Sequence, residues 1–156
     1  MNTHKIKFVC PLITVADIAR SRDFYENLLG QKVVSDFGQN VAFEGFAIHL
    51  QPHFKMLIDK EVVAGGNNFE LYFEYDDVAQ ICETLKAENV EFVHSLREQP
   101  WKQLVVRFYD PDKNIIEVGE SMEHLVLRLY QHNYSTDEIA TMTGLDKEFI
   151  EKMIKI

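Results

Sequence analysis

One pattern is written twice into this chain, and it limits the possible folds more than any other feature. Residues 8–15, Phe-Val-Cys-Pro-Leu-Ile-Thr-Val, read as a strand, and Asp17 then opens a helical pattern that closes at Leu29 and Gly30. Gly30 suits the left-handed backbone that ends a helix. The second copy begins at residues 68–75, Asn-Phe-Glu-Leu-Tyr-Phe-Glu-Tyr, where apolar and polar residues alternate. Asp76 and Asp77 open its helix, in which Val78, Ile81, Cys82 and Leu85 fall at i, i+3, i+4 and i+7. Three short strand candidates follow each helix: residues 32–35, 40–44 and 46–51 in the first half, and 90–95, 104–109 and 115–119 in the second. Strand, helix and three strands, repeated, place the chain in the α+β class.

Between the halves, Phe54, Leu57, Ile58 and Val62 are spaced as in a short amphipathic helix, stopped by Gly65, Gly66 and Asn67. After residue 120 the character changes. Residues 122–130 look helical, and residues 135–154 read as two short helices around Thr143, Gly144 and Leu145, with Ser135 and Glu138 spaced as a capping box. Leu127, Tyr130, Ile139, Leu145 and Ile150 are expected to bury one another there. The expected organisation is a domain over residues 1–120, with modules at 5–51 and 68–120, and a helical extension over 121–156.

Composition excludes some roles. No apolar run has the length of a membrane span, and the Met1-Asn2-Thr3-His4-Lys5 start has no signal-peptide core. Cys10 and Cys82 form no spacing motif, so a reducing, cytoplasmic location is expected. The formal net charge of -9 repels nucleic acid and anionic membranes. Helix-turn-helix spacing in the tail raises a third reading, a ligand-responsive regulator. Its six acidic and four basic side chains over residues 121–156 argue for a helical cap or dimer contact and against DNA binding.

Strand alternation sorts the candidate site residues. In the first strand Val9, Ile13 and Val15 share a face opposite Phe8, Cys10, Leu12 and Thr14. In residues 46–51, Ile48 and Leu50 oppose His49; in 68–75, Phe69, Leu71 and Phe73 oppose Glu70, Tyr72 and Glu74; in 115–119, Ile116 and Val118 oppose Glu117. With the apolar faces packed on the helices, Cys10, His49, Glu70 and Glu117 lie on the other side. Pro11 removes a ladder donor beside Cys10, whose bland reading is a small buried hydrophobe. That of His49 is a wall residue bonded to a neighbour, and His53 and His94 read as ordinary surface groups.

The doubled element order, with Asp17, Ser21, Phe24-Tyr25 and Leu29-Gly30 in the first half and Asp110-Pro111-Asp112 and Glu117 in the second, resembles the vicinal oxygen chelate superfamily. That group includes glyoxalase I, extradiol dioxygenases and bleomycin- and fosfomycin-resistance proteins. The resemblance covers residues 5–120 and implies that the two modules curl into a cup holding a small-molecule ligand, in a protein that commonly pairs as a homodimer. It also implies a metal-ligand set at Cys10, His49, Glu70 and Glu117. The family usually has histidine where this chain has Cys10 and Glu70, and glutamate or another ligand where it has His49. These donors suit a divalent ion such as zinc, nickel, iron or manganese.

Two main functions follow from the resemblance. In a metal-dependent lyase or isomerase, an ion would stabilise an enolate or oxyanion while Glu70 or Glu117 moves a proton. In a metal-free binder of the bleomycin-resistance type, Phe43, Tyr72, Trp101 and Tyr109 would line the pocket. Arg107 would then clamp a carboxylate or phosphate. The bland alternative for Arg107 is a pair with Glu74 or Glu91.

Overall fold

The computed structural model describes residues 5–155. Residues 1–4, where the leader-free start was read, lie outside the described residues. The chain divides into two compact units, Met1–Gly66 with Asp110–Asn114, and Asn67–Tyr109 with Ile115–Ile156.

The first unit begins with β1 (Leu12–Val15), shorter than the sequence suggests. The strand starts only after Pro11, and Phe8 and Val9 are each 79% exposed, so Val9 does not join Ile13 and Val15 in the core. Asp17 caps α1 (Ile18–Arg22), its carboxylate accepting from the Arg20 N–H. A π-helical stretch, Asp23–Leu28, continues it and buries Phe24 and Tyr25. β2 (Val33–Asp36), β3 (Asn40–Phe43) and β4 (Ala47–Leu50) complete a four-stranded open sheet in the order β1-β4-β3-β2, with β1 parallel to β4 and the rest antiparallel. Tyr25, Phe43 and Phe46 form the aromatic heart of this core, with Phe43 and Phe46 stacked at 4.8 Å. α2 (Gln51–Ile58) follows β4 directly. Leu57 and Ile58, expected on its buried face, are 60% and 41% exposed.

The Asp-Pro-Asp turn belongs to this unit. Asp110 Oδ2 accepts from the buried Tyr25 hydroxyl at 2.7 Å, while its Oδ1 accepts from the Asp112 and Asn114 N–H groups at 2.9 and 2.8 Å. Asp112 accepts from the Ala16 N–H, the Arg20 guanidinium and the Ser21 hydroxyl. Four of the residues that carried the resemblance, Ser21, Tyr25, Asp110 and Asp112, therefore bond to one another.

The second unit repeats the topology. β5 (Glu70–Glu74), α3 (Val78–Ala87), β6 (Phe92–Glu98), β7 (Leu104–Tyr109) and β8 (Ile115–Gly119) give an open sheet in the order β5-β8-β7-β6, with β5 and β8 parallel. Asp77 alone caps α3; Asp76 instead accepts from the N–H and hydroxyl of Ser121. Leu71, Val106, Phe108, Ile116 and Val118 alternate onto the buried face, and α3 contributes Val78, Cys82 and Leu85. The fold is α+β, built from two four-stranded mixed sheets.

Three helices finish this unit: α4 (Met122–Gln131), α5 (Thr136–Thr143) and α6 (Lys147–Ile154). Ser135 and Glu138 form the capping box, and Gly144 ends α5 at φ 74°, a backbone that favours glycine. Leu125, Val126, Leu129, Ile139 and Ile150 form their core, with Leu145 packed against it. Leu127 and Tyr130 are instead 40% and 48% exposed, because the buried stripe of α4 is Leu125, Val126 and Leu129 and both residues fall outside it.

Candidate functional site

On the face of the second sheet opposite its apolar side, three neighbouring strands bring charges together. Arg107 on β7 stands directly across from Glu117 on β8, and Glu117 across from Tyr72 on β5. The Arg107 guanidinium is spent on four neighbours. Its Nε donates to Glu70 at 2.8 Å, one Nη pairs with Glu117, and the other lies 3.2 Å from His94 Nε2 and 3.4 Å from Gln99 Oε1. The expected partners Glu74 and Glu91 are not the ones it takes. Strand register decides this: residues opposite and diagonal on one face meet, whatever their separation in sequence.

The two carboxyls differ. Glu117, 5% exposed, is pushed up to about 7, first by burial and then by its hydrogen bond with Glu70 and that residue's charge. Glu70 lies below the ordinary carboxylate value: burial works to raise it, and the bonds from Arg107 and Glu117 outweigh that. Two carboxyls this close cannot both ionise freely, so Glu117 is the one that holds its proton to higher pH.

Beside this group runs a second chain of bonds. Trp101 Nε1 donates to Gln103 Oε1 at 2.9 Å, Gln103 Nε2 donates to the Tyr72 hydroxyl at 3.0 Å and to the Glu120 carbonyl at 2.9 Å, and Tyr72 donates to Glu74 at 3.0 Å. Gln103 is only 3% exposed. Gly119 makes room for it: a Cβ there would lie 2.7 Å from Gln103 Nε2 and 3.3 Å from Tyr72 Cε2.

His49 lies in the first unit, buried on β4. Its Nδ1 is 3.1 Å from Asn40 Nδ2 and its Nε2 is 2.7 Å from His53 Nδ1, with the two imidazoles stacked. Burial, and then the neighbouring His53, hold its pKa below the ordinary histidine value. Cys10 precedes β1 rather than lying in it, and Phe43 is buried in the aromatic core, because β3 buries Val41 and Phe43 and turns Ala42 outward. Tyr109 donates to Asn67 at 2.8 Å. Sequence reading passed over Gln103 and Gly119 and set aside His53 and His94; alternation alone placed Glu117, Glu70 and Tyr72 on one face.

The resemblance implies a divalent ion, and the second unit's donors do not fit one. Glu70 and Glu117 already hold a guanidinium between them, so the lone pairs they would offer a metal are engaged by Arg107. Among the described residues no group of three or more His, Cys, Asp and Glu is gathered as a metal site.

The model of the glyoxalase-like domain family matches residues 8–123. A protein of unknown function from Agrobacterium tumefaciens str. C58 is 43% identical, with the match covering 76% of this chain and 97% of that one at a TM-score of 0.68. A glyoxalase-related enzyme from Fulvimarina pelagi is similar at 18% identity, over 74% of this chain and 89% of its own, with a TM-score of 0.64. The fosfomycin resistance protein FosX from Mesorhizobium loti is similar at 17% identity, over 81% and 99%, with a TM-score of 0.57. No curated protein matches the chain. The family match over most of the length and the 43%-identical relative together establish that the chain belongs to the glyoxalase-like family of the vicinal oxygen chelate superfamily.

Proposed function

We propose that this glyoxalase-like protein binds a small polar organic molecule on the Glu70–Arg107–Glu117 face of its second sheet, with no divalent ion held by those two carboxylates. The observation that carries the reading is the guanidinium of Arg107 between the carboxyls that the resemblance names as metal ligands. A metal there would have to displace an Arg that satisfies both acids, and would then leave that Arg unpaired in a half-buried place. Structural neighbours that include a lactoylglutathione lyase and a fosfomycin resistance protein support a small-molecule role.

Elemental analysis of untagged protein, before and after dialysis against zinc, nickel, iron and manganese, tests this. The expected content is far below one ion per chain. A stoichiometric ion lost in Glu117→Ala would overturn the reading and restore the chelate mechanism.

One observation favours a second, catalytic reading. A carboxyl held at about 7 beside an ionised partner is suited to give and take a proton near neutral pH. In a lyase or isomerase of this kind Glu117 would move the proton, with Glu70 as its charge partner. Turnover of an enolisable substrate that falls on the order of a hundredfold or more in Glu117→Gln would establish it. A homodimer, a cytoplasmic location and no binding to nucleic acid belong to the same proposal, and sedimentation tests the first. Among the described residues no helix is long and apolar enough to cross a membrane.

A further inference from the structure

Resting on the small-molecule reading of this same face, we propose that it takes a flat aromatic cation, stacked on Tyr72 and Trp101 with its charge toward Glu74 and Glu70. Tyr72 is 47% exposed and Trp101 40%, and both are tied into one hydrogen-bond network. Their polar atoms are already used: the indole N–H on Gln103, the phenol on Gln103 and Glu74. What they offer outward is therefore ring surface.

Both rings are held in place from beneath. Gln103 bridges them across the bare Cα of Gly119. The turn that carries Trp101 is closed by its own backbone, Gln99 N–H to the Gln103 carbonyl at 2.8 Å and Lys102 N–H to the Gln99 carbonyl at 2.8 Å. Arg128 on α4 donates to the Lys102 carbonyl at 2.6 Å. Rings fixed before binding lose little conformational freedom when a flat ligand settles on them.

Charge selects the ligand's sign. On β5 and β8 this face carries Glu70, Glu74 and Glu117 and no cation. On β7 its cation is Arg107, whose fork is spent on Glu70, Glu117, His94 and Gln99, leaving none for an incoming carboxylate or phosphate. Lys102 pairs with Glu98, and Arg97, on this same face across from Val105, stands on β6 at the opposite edge of the sheet from Glu70 and Glu74 on β5. The expectation that Arg107 clamps an anion gives way to one in which acidic oxygens and ring faces meet a positive, planar group.

Trp101 is the chain's one tryptophan, so its emission reports from this place alone. The test titrates the full chain near neutral pH with 1-methylquinolinium, a flat cation, and with 1-naphthoate, a flat anion of similar size, following Trp101 quenching and binding heat. Saturable binding of the cation is expected, weakened about tenfold in Tyr72→Leu and in Glu74→Gln, the latter an exposed change that leaves the fold intact. Saturable binding of the anion in place of the cation, cation binding indifferent to both variants, or no binding of either would overturn it. Metal content, read separately, decides the reading on which it rests: anion binding by metal-free protein sinks the cation and leaves the small-molecule site standing.

Discussion

Tyr25 and Asp110 show what the family's recurring residues do in this chain. The phenol is fully buried and its pKa is pushed well above the ordinary value, first by burial and then by the Asp110 charge. Asp110 is itself raised, by burial against four bonds that oppose it. Tyr25→Phe should therefore cost about 1–3 kcal/mol in urea unfolding, since it leaves a buried carboxyl short of a donor. A change within a few tenths would show that water replaces the hydroxyl. Glu117 gives a pH signature. Its unfolded form releases the proton near 4.5 and its folded form at about 7, so its stabilising contribution is complete below 4.5 and is lost as pH rises to about 7. Glu70 runs the other way: its pKa is depressed, so its contribution is present above its unfolded value and is lost as pH falls through the folded one. Stability measured across this window should decline toward neutrality in the wild type and lose that decline in Glu117→Gln. Equal slopes in the two proteins would contradict the shared proton. Alternation in the sequence was enough to put Glu70 and Glu117 on one face. The partners of Arg107 were not legible there, because opposition across β7 and β8 is set by the turn between them.

At the scale of elements, the C-terminal helices are fastened to the second sheet by one buried carboxylate. Glu120 is fully buried and accepts from Arg128 at 2.6 and 3.1 Å, from the Leu104 N–H at 2.8 Å, and lies 2.6 Å from His124 Nδ1. Burial works to raise its pKa, and these bonds outweigh it and hold the carboxyl below the ordinary range. Its contribution is thus present above the unfolded value and lost as pH falls through the folded one. Glu120→Gln leaves Arg128 without its counter-charge and should cost about 3 kcal/mol. Because Arg128 also holds the Lys102 carbonyl, hydrogen exchange should quicken at residues 99–103 as well as in α4. Acceleration confined to α4 would separate the helix from the turn. Ser135→Ala should cost about 1 kcal/mol through the lost capping box, with no effect on that turn. The family match ends at residue 123, so α5, α6 and most of α4 lie outside it. The helix starts at Asp17, Asp77 and Ser135 were legible because caps are local: each accepts from an N–H three residues on. The length of β1 was not, since pairing rather than propensity ends a strand, and residues 8 and 9 stay exposed ahead of Pro11.

For the whole molecule, the net charge of -9 bears on partners more than on fold. A gel-shift titration with duplex DNA at low salt is expected to show no complex, and a salt-sensitive complex would reopen the regulator reading of the tail. The two compact units each repeat strand, helix and three strands, and the sequence by itself determined that order, the helix caps, the α+β class and which face of most strands is apolar. All of these follow from periodicity and side-chain chemistry within a few residues. Tertiary structure alone decided which charges meet and which polar groups are buried. Arg107 found Glu117 and Glu70 rather than Glu74, and Gln103 reached Tyr72 over a glycine 16 positions away. Such pairings depend on the register of strands and turns distant in sequence, and a shift of one residue would turn each of these side chains to the other face.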